Sequence, residues 1–151
     1  IFRLVSKGKL TEGIFAGETI NTPSMLAVED YIDALEWADG LGGLDALKAR
    51  ANANAAALDA WVQSRPWVEH LAKDAASRSN TSVCLVLPGL AEEQVKAIVS
   101  LLEKEKAAYD IGAYRDAPAG LRIWCGATVD TADVTALTHW LDWAHAEVTA
   151  A

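Results

Sequence analysis

Two arginines lie in a stretch of the chain where the packing of a core does not require them. Arg115 and Arg122 flank residues 116–120, whose sequence Asp-Ala-Pro-Ala-Gly is typical of a turn. A guanidinium group is planar, permanently charged and able to bind a carboxylate or a phosphate through two parallel hydrogen bonds. Two such groups converging on one pocket favour a small dianionic ligand. The alternative is ordinary, because loop arginines are often solvated or paired with a nearby acid, here Asp110 or Asp116.

A second candidate anion site precedes the first predicted helix. Thr22 is suited to the N-cap of this helix and Pro23 to its first helical position. The first backbone N–H groups of a helix lack partners within it and attract anions, so Asn21 and Thr22 lie beside a competent phosphate site. Capping alone also explains these residue types.

The periodicity of apolar residues predicts the elements that position both candidate sites. An irregular, partly extended arm over residues 1–20 is followed by helix, helix, strand, strand, helix, strand, strand, helix. Helices are expected at about 23–39, 43–63 and 91–107 and from 130 or 131 onward, and strands at 67–72, 81–87, near 108–111 and at 121–125. This order predicts an α/β chain of the α+β kind, with a small mixed or antiparallel sheet covered by helices on one face.

Composition narrows the classes of partner. The chain has 151 residues, of which 52% are hydrophobic, and a net charge of −8, so it is long enough for a globular core. An acidic chain does not favour a general nucleic-acid or anionic-membrane surface, because such binding depends largely on basic groups. No apolar run approaches the roughly 20 residues that span a bilayer.

Cysteine and histidine positions give two further expectations. Cys84 and Cys125 fall inside predicted apolar strands, which favours free thiols in a reduced, cytoplasmic compartment. His70, His139 and His145 show no ligand spacing with Cys or Glu, so no metal site is predicted.

Three ordered segments carry a resemblance to a known family: FRLVSKGKLTEGIFAGETINTPSMLAVEDYIDAL (2–35), RSNTSVCL (78–85) and IGAYRDAPAGLRIWCGATV (111–129). Together they resemble the C-terminal part of phosphoserine aminotransferase, in the form found in alphaproteobacteria, over essentially the whole chain. The resemblance implies a homodimeric cytoplasmic enzyme with the type I pyridoxal-phosphate fold. Such an enzyme exchanges an amino group between glutamate and 3-phosphohydroxypyruvate to give phosphoserine. Phosphohydroxythreonine-type substrates would also fit the same two arginines.

The same resemblance implies a role for each candidate site residue. Arg115 would help to hold the substrate phosphate and Arg122 the α-carboxylate. Tyr114 stands where many members of the family have histidine, and it can donate a hydrogen bond beside Arg115. Asn21 and Thr22 would reach across a dimer interface to the cofactor phosphate of the other subunit.

The resemblance also divides the chain and places the catalytic groups. Residues 1–42 would be the end of the large cofactor-binding domain, and residues 43–151 the small domain. The Schiff-base lysine, the aspartate on the pyridine nitrogen and the stacking aromatic all precede this segment in the family, so no catalytic residue is expected here and the isolated chain should be inactive. Two alternatives remain: another class V aminotransferase acting on serine, alanine or glyoxylate, and a non-catalytic anion-binding or dimerisation domain.

Overall fold

The structure, a computed structural model, describes residues 4–19 and 21–150. Residues 1–3 and 20 of the predicted arm therefore lie outside the described residues. The chain divides into two compact units, Ile1–Gly43 and Leu44–Ala151. Assignment of these units to a large and a small domain stays a prediction.

The first unit contains a short hairpin and one long helix. Strands β1 (Val5–Ser6) and β2 (Lys9–Leu10) pair antiparallel across a two-residue turn. Both residues of that turn have positive φ, Lys7 at 51° and Gly8 at 77°, as a tight hairpin turn requires. The hairpin gives the predicted extended arm a defined form.

Helix α1 (Met25–Gly40) begins two residues later than predicted. Its N-cap is Ser24, whose hydroxyl accepts a hydrogen bond from the backbone N–H of Ala27 at 3.4 Å. The prediction of Thr22 as the N-cap and Pro23 as the first helical residue is therefore wrong. Ser24 has extended backbone angles and is itself a favoured capping type, so it competes successfully with Thr22.

The second unit places three helices on one face of a three-stranded antiparallel sheet. The bounds are α2 (Gly43–Gln63), β3 (Glu69–His70), β4 (Ser82–Val86), α3 (Glu92–Lys104), β5 (Gly120–Trp124) and α4 (Thr131–Ala150). The strand order is β3-β4-β5, so β4, which forms within the predicted strand 81–87, is central.

The register of β4 and β5 explains which face of the sheet is covered. Val83 lies opposite Ile123 and Leu85 opposite Leu121, and all four side chains are buried. The buried apolar residues of the helices join the same cluster: Leu58, Trp61, Val62, Val95, Ile98, Leu102, Val134, Leu141 and Ala144. The predicted fold class, with helices packed on one face, is confirmed.

One predicted strand does not form among the described residues. Near 108–111 the chain makes only an isolated bridge between Gly112 and Leu121, with Arg122 N–H donating to the Ile111 carbonyl at 2.8 Å. Lys106 and Asp110 both have positive φ, 59° and 52°, which interrupts an extended strand. Within residues 4–19 and 21–150, no helix has the length and apolar character needed to cross a membrane.

Candidate functional site

The candidate site lies on the side of the sheet that the helices leave open. Side chains alternate along a strand, so burial of Leu121 and Ile123 directs Arg122 and Trp124 to the opposite face. On the neighbouring strand Ser82 is paired in register with Trp124. Arg122 therefore lies at an accessible surface, on the strand that was predicted at 121–125.

Arg122 is held by two residues of the loop between α3 and β5. Its Nη2 donates to the Asp110 carboxylate at 2.7 Å and to the Asp110 backbone carbonyl at 3.2 Å. The guanidinium carbon lies 4.6 Å from the centre of the Tyr114 ring, within the range of a cation–π contact. Tyr114 Oη in turn lies 3.4 Å from Ser82 Oγ. The four residues form one polar cluster.

These contacts favour the charged form of both Tyr114 and Arg122. The hydrogen bond with Ser82, followed by that with Arg122, lowers the pKa of the Tyr114 hydroxyl. The hydrogen bond with Tyr114 raises the pKa of Arg122, and the charge of Asp110 adds to the effect. Arg122 thus remains a permanent cation, and Tyr114 is a good hydrogen-bond donor beside it.

A cavity of about 470 Å³ opens over this cluster. Its lining combines Arg122, Asp110 and Ser82 with the aromatic rings of Tyr114 and Trp124. A few polar groups among apolar walls are typical of small-ligand sites. The cavity can accept a small anion that brings one carboxylate to Arg122.

Arg115 lines a different cavity, of about 580 Å³, on the α3 side of the loop. Glu92 and Lys96 line it too, and they form an ion pair with each other at 2.6 Å. None of the ion pairs among the described residues involves Arg115, so its charge is not neutralised there. Tyr114 lines both cavities. The structure brings Tyr114 and Arg122 together, whereas Arg115 lines the second cavity.

Asn21 and Thr22 belong to the first unit. Both are exposed, and they lie just ahead of the Ser24 cap of α1. Their amide and hydroxyl groups are hydrogen-bond donors ahead of a helix N-terminus, although Ser24 and not Thr22 caps that helix. The cofactor-binding role of this pair stays a prediction, as do the substrate roles of Arg115, Arg122 and Tyr114.

Sequence reasoning missed the residue that supports the segment after β5. Asn54 of α2 is fully buried, and its Nδ2 lies 3.2, 3.2 and 3.0 Å from the carbonyl oxygens of Cys125, Gly126 and Val129. Its Oδ1 accepts a hydrogen bond from Thr131 Oγ1 at 2.6 Å. The Ala-rich run around Asn54 gave no signal, because its partners lie more than seventy positions away along the chain.

Comparison with known proteins identifies relatives over nearly the whole chain. The chain is 52% identical to phosphoserine aminotransferases from Methanosarcina mazei and Methanosarcina barkeri, over 96% of its own length. It spans 39% of the length of each of these relatives. No protein-family model matches the chain.

A solved structure has the same fold. A phosphoserine aminotransferase from Bacillus circulans subsp. alkalophilus superposes with a TM-score of 0.77 at 21% identity, covering 89% of this chain and 36% of that protein. The resemblance to phosphoserine aminotransferases is therefore confirmed, and the chain corresponds to a C-terminal portion of them. The link to the alphaproteobacterial form stays a prediction.

Proposed function

We propose that the chain is the C-terminal portion of an enzyme that transfers an amino group between glutamate and 3-phosphohydroxypyruvate to give phosphoserine. The similarity at 52% identity to enzymes named for phosphoserine supports the substrate class. The observation that carries the proposal is the setting of Arg122, which already holds a carboxylate under an aromatic ring. A substrate α-carboxylate has the same charge and geometry as the Asp110 side chain bound there.

The two ends of the substrate require two cationic positions, and the loop before β5 and β5 itself supply one each. Arg122 takes the α-carboxylate, with the Tyr114 ring packed against its guanidinium group. Arg115 takes the phosphate, in a cavity where Lys96 adds a second positive charge and Glu92 one negative charge. An excess positive charge favours a phosphate over a neutral group. Tyr114 lies between the two cavities and can donate its hydroxyl hydrogen to either anion.

Pyridoxal 5'-phosphate is the cofactor of the proposed reaction, and Asn21 and Thr22 are the residues that fit it. Their exposed amide and hydroxyl donors, together with the N-terminal N–H groups of α1, suit its phosphate. When bound, the cofactor supplies the electron sink that amino transfer requires. Residues other than Asn21 and Thr22 act at the cofactor ring.

We also infer a homodimer located in the cytoplasm. Helix α1 has no buried residue, and Met25, Leu26 and Tyr31 are each about two-thirds exposed, at 68%, 72% and 66%. Contiguous exposed apolar side chains are typical of interaction surfaces. Free Cys84 and Cys125 are consistent with a reducing compartment. Light scattering of the complete gene product should give twice the mass of one chain, and a monomeric mass would contradict the dimer.

The test of the proposed substrate compares two substitutions in the complete gene product. Arg115→Ala should lower kcat/KM for phosphoserine far more than for serine, because serine has no phosphate group for Arg115 to bind. Arg122→Gln should lower both, since both substrates carry the α-carboxylate. Lys104→Ala, which removes an exposed cation at the end of α3, is the matched control and should change neither.

The pattern of damage decides between the candidate functions. Equal damage to both substrates from Arg115→Ala would contradict a phosphate role and favour a class V aminotransferase for unphosphorylated amino acids. Failure of the unsubstituted protein to transfer any amino group would favour the non-catalytic anion-binding domain.

A further inference from the structure

Asp110 holds Arg122 through the guanidinium nitrogen that ligand binding needs most. Both acceptors of Asp110, its carboxylate Oδ2 at 2.7 Å and its backbone carbonyl at 3.2 Å, take hydrogen bonds from Nη2. Nε and Nη1 make no hydrogen bond to Asp110, so Asp110 occupies one nitrogen of the guanidinium group and leaves the other two.

A carboxylate cannot bind Arg122 bidentately while Asp110 keeps these contacts. The guanidinium group offers two forks, one from Nε and Nη2 and the other from Nη1 and Nη2. Nη2 belongs to both forks and contributes one of its two hydrogens to each. Because the Asp110 carboxylate and the Asp110 carbonyl both accept from Nη2, an incoming carboxylate competes with one of these two acceptors whichever fork it uses.

The ion pair between Asp110 and Arg122 is exposed and easily broken. The Asp110 side chain is 91% exposed in the ion pair, so water can replace the guanidinium as its partner. Exposed ion pairs contribute little net stability. Asp110 also has a φ of 52°, in the left-handed region that Asp and Asn tolerate better than most residues. This conformation presents both its carbonyl and its carboxylate to one nitrogen.

We propose that Asp110 is an affinity-determining residue, an internal carboxylate that occupies Arg122 until a ligand carboxylate displaces it. The inference rests on the proposed function, because it takes Arg122 as the group that binds the substrate α-carboxylate. Asp110 weakens the binding of carboxylate ligands and leaves ligands that lack a carboxylate unaffected. It keeps the cavity close to neutral between ligands.

The experiment measures dissociation constants of two probes from the complete chain by chemical-shift titration. O-phospho-L-serine carries the α-carboxylate, and O-phosphoethanolamine is the same molecule without it. Asp110→Asn keeps the size of the side chain and tolerates positive φ, while Asp110→Gly suits that φ and removes the side-chain acceptor. Both variants should bind phosphoserine about two- to fivefold more tightly, the range expected on removing an exposed competing ion pair. Phosphoethanolamine affinity should not change.

A matched control removes the general effect of charge. Asp116 is an exposed acid in the same loop, and Arg122 bonds to Asp110 instead. Asp116→Asn removes one negative charge as Asp110→Asn does, so it should change the affinities for the two probes equally or not at all. A tightening confined to phosphoserine and to the Asp110 variants supports the inference.

The remaining outcomes overturn it and separate it from the proposed function. Unchanged or weaker phosphoserine binding by both Asp110 variants means that Asp110 orients Arg122 or is irrelevant to it. If Arg122→Gln weakens the binding of phosphoserine in the same series, the proposed function survives and only the inference about Asp110 fails. If Arg122→Gln does not change the affinity for phosphoserine, Arg122 does not bind the carboxylate, and the proposed function and the inference are both overturned.

Discussion

Replacement of Asn54 by alanine should destabilise the second unit strongly, although the residue touches no candidate ligand site. The Asn54 amide has two N–H groups shared among three carbonyls at 3.0 to 3.2 Å, and its oxygen accepts from Thr131. At most three hydrogen bonds are thus satisfied at once, at about 1 kcal/mol each, so Asn54→Ala should cost about 3 kcal/mol. The side chain is fully buried, so water does not readily replace these bonds.

The assay is urea unfolding followed by circular dichroism, with Asn52→Ala as the control. Asn52 lies two positions earlier in α2, is exposed and accepts one hydrogen bond, from Asn80 at 2.7 Å. Its replacement should change the free energy of unfolding by less than about 0.5 kcal/mol, as is usual for surface positions. If the two variants have the same unfolding free energy, the buried network does not contribute as the contacts indicate.

Three further predictions concern the sheet and α4. Gly120→Ala should impair folding, because a Cβ there would lie 2.1 Å from the Leu85 carbonyl oxygen, and a large fall in thermal midpoint checks this. Cys125 should react with a thiol reagent far more slowly than Cys84 at neutral pH, because burial raises the pKa of Cys125 to about 11, and equal rates would contradict this. Burial lowers the pKa of His145 below its usual 6.5, so folding favours its neutral form. Its contribution to the free energy of unfolding should be lost as pH falls below that value, and His145→Gln should remove this part of the pH dependence.

The parts of the fold that depend on local pattern were predicted well from the sequence. Helix α2 ends at Gln63 as expected, because Pro66 lacks a backbone N–H and disfavours helical backbone at the residue before it. The helix predicted from 130 or 131 onward forms as α4 and packs into the core, with Val134, Leu141 and Ala144 buried. Local propensity and apolar spacing agree in these segments, so the sequence is sufficient.

Other features of the structure could not be predicted in the same way. Thr22 and Ser24 are both good capping residues, and the preference of proline for the first helical position favoured Thr22, whereas Ser24 is the cap. A strand was predicted near 108–111, whereas the positive φ of Asp110 interrupts it and the Asp110 carboxylate accepts a hydrogen bond from Arg122. Sequence spacing placed Arg115 and Arg122 in the same stretch of chain, yet it carried no information on which cavity each side chain would line.

The central claim is that this chain is part of an enzyme that makes phosphoserine. The most direct measurement incubates the complete gene product, loaded with pyridoxal 5'-phosphate, with ¹⁵N-labelled glutamate and 3-phosphohydroxypyruvate, and follows the label by mass spectrometry. The account predicts ¹⁵N in phosphoserine, with much slower labelling when pyruvate or glyoxylate replaces the phosphorylated acceptor. Label that stays in glutamate, or that reaches alanine or glycine as readily as phosphoserine, would contradict it.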